Sequence, residues 1–174
     1  MTFEIYSDIT NRSMTIASRA MRKVLQRKSS ILWAIFGWSV FFINALLLIP
    51  FDGETFTLDA STVISLLVEV MLLSVLLLQD RLNGMIACKN TLAGTKDYHI
   101  VFGEESYTVI TEVTTSTFRY ELIDAMAESQ DYMILLMKKR FAQPMDKRTL
   151  TGRTVEECKR FLEEKTGKTF RRVK

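Results

Sequence analysis

Two apolar stretches decide how this chain is built: Ile31–Pro50 (ILWAIFGWSVFFINALLLIP) and Ala60–Gln79 (ASTVISLLVEVMLLSVLLLQ). Each has 20 residues, and a helix of that length, rising 1.5 Å per residue, matches the roughly 30 Å hydrocarbon core of a bilayer. The first stretch has no charge, and the second carries only Glu69. Its Leu, Ile and Val residues contribute about −0.3 to −0.6 kcal/mol each, which together outweigh roughly +3 kcal/mol for one central charge. The sequence therefore predicts a membrane α-helical hairpin.

The charges that flank the two stretches predict its orientation. Residues 1–30 hold six basic side chains, and the connector Phe51–Asp59 has none but carries three acidic ones. Basic flanks stay in the cytoplasm. We therefore expect a multi-pass protein of the cell membrane with both termini cytoplasmic.

The segments on either side of the hairpin are predicted to be a strand and helices. In residues 1–30, Thr2–Asp8 alternates like a short strand, and a basic amphipathic helix follows over 11–28. This helix either continues into the first span as one rod or lies in the membrane interface. The absence of Pro and Gly between Thr10 and Ile35 favours the rod. Residues 80–96, after the hairpin of 31–79, are expected to form a helical extension and a linker.

From Asp97 the apolar period changes to two, which predicts short antiparallel strands over much of 97–174. Pro144 is expected to end the last of them. Thr154 and Glu157 form a capping-box pattern before a helix 155–166, which Gly167 stops. The pattern predicts a cytoplasmic α+β domain, a small antiparallel barrel or sheet closed by a C-terminal helix, like pleckstrin-homology (PH) domains. We expect the strand Thr2–Asp8 to pair with an edge of this sheet and the tail 168–174 to be mobile.

Three short motifs in this domain resemble a known family. They are Phe118–Asp124 (FRYELID), Glu128–Tyr132 (ESQDY) and Pro144–Arg148 (PMDKR). Together with the order of strand, helix, two spans and a β-rich segment, they resemble the bacterial YcxB-like proteins over nearly the whole chain. The resemblance implies a bacterial membrane protein with a PH-like cytoplasmic domain and no assigned activity.

Glu69 is the first candidate functional residue, because carboxylates in membrane helices are costly and are usually functional or paired. Asn44 and Ser65 are the polar residues predicted to lie near it, with Val40 at its own depth in an antiparallel hairpin. A protonated Glu69 that donates a hydrogen bond between helices is the structural interpretation, and proton or ion handling is the functional one.

The second candidate is the basic group Lys138, Lys139 and Arg140, at the tip of a predicted hairpin. A basic loop at the mouth of a PH-like barrel can contact lipid headgroups or a protein partner. A solvated turn is the alternative, and analogy between folds does not by itself assign a function.

Other functions find little support in the sequence. Cys88, Cys158 and the single histidine, His99, are too few and too dispersed for a metal or cysteine-histidine site, and no cofactor motif or nucleic-acid pattern is present. We expect a non-enzymatic membrane protein whose domain binds a protein or an anionic lipid headgroup at the bilayer, with a homo-oligomer also open. The alternative is a small transporter or transporter-accessory subunit that uses Glu69.

Overall fold

The computed structural model describes residues 3–47, 59–137 and 141–173. Two long helices in it, α2 (Arg27–Leu47) and α3 (Ala60–Lys89), contain the apolar stretches. Segments Arg27–Leu46 and Ala60–Lys89 are long and apolar enough to cross a membrane, and almost none of their most apolar parts is buried. They are two candidate membrane helices by length and composition. The connector between them, 51–58, lies outside the described residues.

Helix α1 (Asn11–Val24) begins at Thr10, whose side chain and that of Ser13 form a capping box. It ends before Leu25 and Gln26, and α2 starts at Arg27, so the predicted continuous rod is wrong. The reason lies in the buried face of α1, which consists of Ser13, Ala17 and Ala20. These small side chains allow α1 to pack closely on a sheet and on α3, and that packing sets its direction.

Within the part of the chain that the structure describes, nine strands form two sheets. The first sheet has the order β4-β3-β2-β1-β8 and the second the order β7-β6-β5-β9. The strands are β1 (Phe3–Asp8), β2 (Asp97–Phe102), β3 (Ser106–Thr111), β4 (Thr115–Arg119), β5 (Ala125–Glu128), β6 (Tyr132–Met137), β7 (Phe141–Asp146), β8 (Leu150–Thr151) and β9 (Phe170–Arg172).

Strand β1 pairs antiparallel with β2 over its whole length, with Ile5 opposite Ile100. The predicted pairing of the N-terminal strand with the C-terminal sheet is therefore confirmed. The strand is not at the edge, however, because the two-residue β8 pairs with its other side. The two candidate membrane helices thus lie, in sequence, between neighbouring strands of one sheet.

The two sheets share one hydrophobic core. Residues Met133 and Leu135 of β6 pack in it beside Phe3 and Ile100 of the first sheet. The alternate β6 residues Ile134 and Leu136 belong to a second cluster with Ala17 of α1. Strand β6 is apolar on both faces because the core covers one face and α1 covers the other.

Three details of the sheets differ from the expectations. The sheets are two separate ladders, so no closed barrel forms among the described residues. Pro144 lies inside β7 and does not end it, which is tolerated because β7 is an edge strand. The tail is ordered by β9, which pairs parallel to β5, with Arg171 opposite Ala127.

Helix α4 (Val155–Thr166) joins β8 to β9 and closes one end of the core. Its capping box of Thr154 and Glu157 is present, and Gly167 ends it with a positive φ of 67°, as predicted. Phe161 contacts the rings of Phe3 and Tyr120, at the start of β1 and just after β4. The opposite end of the strands has no such cover from α4.

Candidate functional sites

Glu69 is buried in α3, with 7% of its surface exposed. Both carboxylate oxygens lack a hydrogen-bond partner among the described residues, so the predicted bonds to Asn44 or Ser65 are not formed. Gly37 of α2 lies against Leu76, whose Cδ2 would be 2.6 Å from a Cβ added at Gly37. In an antiparallel pair, a residue seven positions after Gly37 in α2 lies at the same depth as a residue seven positions before Leu76 in α3. This places Asn44, and not Val40, at the depth of Glu69.

The basic group Lys138, Lys139 and Arg140 lies outside the described residues. The flanking strands are β6 and β7, which pair antiparallel up to Met137 and Phe141.

An ion-pair cluster joins α1 to α3. Arg22 donates to Asp80 through Nε to Oδ1 at 2.7 Å and through Nη2 to Oδ2 at 2.5 Å. Arg19 Nε lies 3.5 Å from the same Oδ2. Asp80 is 9% exposed, and its hydrogen bonds raise the pKa of Arg22 above the ordinary value, despite some loss of solvation. A bidentate pair of this kind fixes the orientation of both side chains.

The backbones of α1 and α3 approach closely beside this cluster. A Cβ added at Gly84 would lie 2.5 Å from the backbone nitrogen of Thr15. Only a glycine fits at such a distance, so Gly84 and Asp80, one turn apart, hold α1 against the last turns of α3. Gly84 is therefore a packing position of this helix.

Two adjoining cavities open where α1 passes into α2. The first, of about 320 Å³, is lined by Arg22, Lys23, Arg27, Ser30 and Ile31. The second, of about 380 Å³, includes Ser29, Trp33, Gln79 and Asn83. We call these two cavities the junction site. Lys23, Arg27 and the serine hydroxyls can pair with an anionic ligand, whereas Arg22 is already paired with Asp80. The site lies at the ends of the apolar stretches. In the sequence, these basic residues indicate only the orientation of the hairpin.

A larger cavity, of about 480 Å³, lies at the end of the core opposite α4. We call it the end groove. It is bordered by the start of β2, the end of β3, the start of β4, the start of β7 and the segment after α3. The residues that line it are Ile9, Met14, Thr91, Leu92, Thr95, Tyr98, Val109, Thr111, Thr114, Ser116, Phe118, Phe141, Ala142, Gln143 and Pro144. Gln143 is 5% exposed, and its Oε1 has no partner among the described residues. The only feature of the sequence that indicates this cavity is Gln143, a glutamine at an inward-facing position of β7.

His99 lies on β2 and is half-buried. Its ring stacks on Tyr6 at 4.1 Å between centroids, and Nε2 lies 2.9 Å from Glu4 Oε2. These are neighbours across β1 and β2, so the contacts of His99 belong to strand pairing. Among the described residues, no group of three or more His, Cys, Asp or Glu side chains could hold a metal ion.

Comparison with known proteins gives one match. The model of the family described as YcxB-like protein matches residues 102–163, which include β3 to β8 and most of α4. The sequence resemblance extended over nearly the whole chain, whereas this match leaves out β1, β9 and the two long helices. No curated protein and no solved structure matches. Over residues 102–163 the chain is similar to the YcxB-like protein family, the family that the sequence motifs resemble.

Proposed function

We propose that the chain is a non-enzymatic membrane protein whose cytoplasmic domain is held at the bilayer by binding anionic lipid headgroups in the junction site. The observation that carries the membrane assignment is the inverted polarity of the helix pair. The buried residues of α3 are Glu69, Asp80 and Gly84, while large apolar side chains such as Leu67 and Leu77 are exposed. Water disfavours that arrangement, and a bilayer favours it.

The position of the junction site supports the choice of a headgroup. Arg27 begins α2, and Gln79 ends the second apolar stretch, so both lie where a membrane surface would meet the two helices. Basic pockets between membrane helices on the cytoplasmic side bind anionic headgroups, and each Lys or Arg near the surface contributes about 1 kcal/mol. Trp33, exposed on the first turns of α2, has a side chain suited to this interface.

We further propose that the domain is PH-like. Strands β1 to β4 lie in one sheet and β5 to β7 in the other, and α4 follows them and packs on the core. This order supports the proposal. A folding pattern of this kind hosts many functions, so the headgroup proposal depends on the junction site and not on the fold.

Native mass spectrometry of the full chain, released from nanodiscs that contain phosphatidylglycerol and phosphatidylcholine, tests lipid selection. We expect retained phosphatidylglycerol in excess, with the excess reduced by the double substitution K23Q/R27Q. Two charges at about 1 kcal/mol each predict a loss of roughly 30-fold. The matched control is the double substitution R119Q/R160Q, which removes two exposed basic residues of the domain. Equal retention in both double variants would refute the junction site.

The orientation is tested by cysteine labelling. In a chain whose native cysteines are replaced, Gly53→Cys should react with an impermeant reagent added outside the cell, and Glu105→Cys should react only after permeabilisation. Glu105 is an exposed residue between β2 and β3, so its reactivity is set by the side of the membrane and not by burial. Labelling of Glu105→Cys from outside would refute the proposed topology.

A second candidate function, transport with Glu69 as the coupling group, is favoured by its buried carboxylate, which has no partner among the described residues. Glu69→Gln preserves the shape and the hydrogen-bonding capacity but cannot release a proton. If Glu69 is structural, Glu69→Gln should keep assembly, and Glu69→Leu should alter it by about 0.6–2 kcal/mol. If it is a coupling group, both variants should assemble and neither should support proton flux in liposomes.

A further inference from the structure

The end groove has the dimensions of a ligand site and an unmet hydrogen-bond demand. Its volume of about 480 Å³ falls within the roughly 300–1,000 Å³ typical of small-molecule pockets. Buried polar side-chain atoms in native proteins nearly always have a partner, and Gln143 Oε1 has none among the described residues. We propose that the end groove binds an uncharged, largely apolar small molecule that donates a hydrogen bond to Gln143.

The apolar character of the ligand follows from the walls. Val109 and Phe118 contribute from the first sheet, and Phe141 and Pro144 from the second. Leu92, after α3, is 74% exposed at the rim. Since apolar surface removed from water stabilises a complex by about 25 cal/mol per Å², a molecule that covers these side chains gains most of its affinity from them.

The same lining residues indicate that the ligand is uncharged. Among the described residues that border the end groove there is no Asp, Glu, Lys, Arg or His. A charged group placed there would lose hydration without an opposite charge in the described lining of the groove, which is strongly unfavourable. The anionic headgroup proposed for the junction site is therefore not the ligand expected here, and the two proposals can fail independently.

The polar groups that line the groove indicate that the ligand donates a hydrogen bond. Thr91 and Thr95 each donate their hydroxyl to a backbone carbonyl of the preceding turn. Thr111 contacts the carbonyl of Thr114, and Tyr98 donates to the carbonyl of Pro144. Among the described residues that line the groove, the buried side-chain atom without a partner is an acceptor, Gln143 Oε1. The terminal torsion of glutamine is soft, so a ligand with a hydroxyl or amide hydrogen can draw this oxygen into a bond.

Photolabelling of the full chain in phosphatidylcholine nanodiscs tests the proposal. The probes are a ten-carbon primary alcohol that carries a diazirine, and the corresponding alkane and carboxylate. Labelling is mapped by mass spectrometry to residues 114–118 and 141–144. We expect the alcohol to label these segments about 2- to 10-fold more than the alkane, as one hydrogen bond predicts, and the carboxylate to label them least.

Three variants separate binding from folding. Gln143→Leu removes the acceptor and should abolish the preference for the alcohol without lowering the unfolding midpoint, because it also removes an unsatisfied buried atom. Ser116→Phe fills the groove and should reduce labelling by all three probes. The matched control, Gln130→Leu, changes an exposed glutamine and should behave like the unmodified chain. Equal labelling by alcohol and alkane, preferential labelling by the carboxylate, or an alcohol preference that survives Gln143→Leu would each overturn the proposal.

Discussion

The domain and the helix pair bury opposite kinds of residue. In the domain, the fully buried side chains are large and apolar, such as Phe102, Tyr107 and Leu135. In α3, the buried residues are a glutamate, an aspartate and a glycine, and several leucines, such as Leu67 and Leu77, are exposed. Burial of apolar surface stabilises the first region, and close packing of small and polar residues fixes the second. Equal truncations should therefore have unequal effects in the two regions.

The largest difference is expected between Ile5→Ala and Leu32→Ala. Ile5 is fully buried in β1, and its truncation should lower the free energy of unfolding of the domain by about 2–5 kcal/mol. Leu32 is 68% exposed on α2, and its truncation should change that free energy by less than about 0.5 kcal/mol. Urea titration with pulse proteolysis of the full chain in nanodiscs measures both. Similar losses would mean that the helix pair is part of the domain core.

The next largest effect is expected at the contact between α1 and α3. Gly84→Val places a side chain against the backbone of Thr15 and should destabilise the domain by about 3 kcal/mol, because the backbone cannot move aside as a flexible side chain can. Gly37→Val, where the neighbour is the flexible Leu76, serves as the control within the membrane pair. The same titration should show a clearly smaller loss for that control.

A somewhat smaller effect is expected from Asp80→Asn. This change removes the charge that pairs with Arg22 and Arg19 and should cost about 1.5–3 kcal/mol. The loss should appear as faster amide exchange in α1 and in the final turns of α3, with β6 unaffected. Asp131→Asn is the control, because its partner Arg12 is largely exposed and such pairs contribute little.

The smallest effect concerns pH. Loss of solvation raises the pKa of Glu128, but hydrogen bonds from Lys147 and Lys159 outweigh it, so the net pKa is below its ordinary value. The folded state therefore binds this proton less readily than the unfolded state. Ionised Glu128 contributes about 1 kcal/mol to the free energy of unfolding. This contribution is complete above pH 4.5 and is lost as the pH falls through the folded-state pKa of Glu128.

Glu128→Gln tests this assignment in urea titrations at several pH values. It should lower stability at pH 7 and flatten the loss of stability at acid pH. Glu164→Gln, at an exposed position of α4, should leave the pH profile unchanged. An unaltered acid profile in Glu128→Gln would show that other carboxylates carry the dependence.

The sequence predicted the elements better than their arrangement. The period of two in 97–102, the cap at Thr154 and the stop at Gly167 are local signals, and the structure has each of them. The break at Leu25 was missed because it depends on packing between α1 and α3, which local propensity does not record. Pro144 was misjudged because its effect depends on whether the strand is at a sheet edge.

The candidate sites were harder to predict for the same reason. Glu69 stood out as a charge in an apolar stretch, but its lack of a partner is a property of three-dimensional packing. Gln143 and Gly84 have no unusual neighbours in the sequence. They are conspicuous only when β7 faces the core and α1 lies against α3.

The pairing of Ile5 with Ile100 has a consequence for biosynthesis, with α2 and α3 in a membrane as proposed. At roughly 5–20 residues per second, β1 leaves the ribosome several seconds before β2 exists. Both helices must insert in the interval. A chain that inserted only one of them would leave β1 and β2 on opposite faces of the bilayer, and the first sheet could not form. The domain can thus be completed only when both helices of the hairpin have inserted. A chain in which only one helix has inserted exposes an unpaired strand to quality-control proteases.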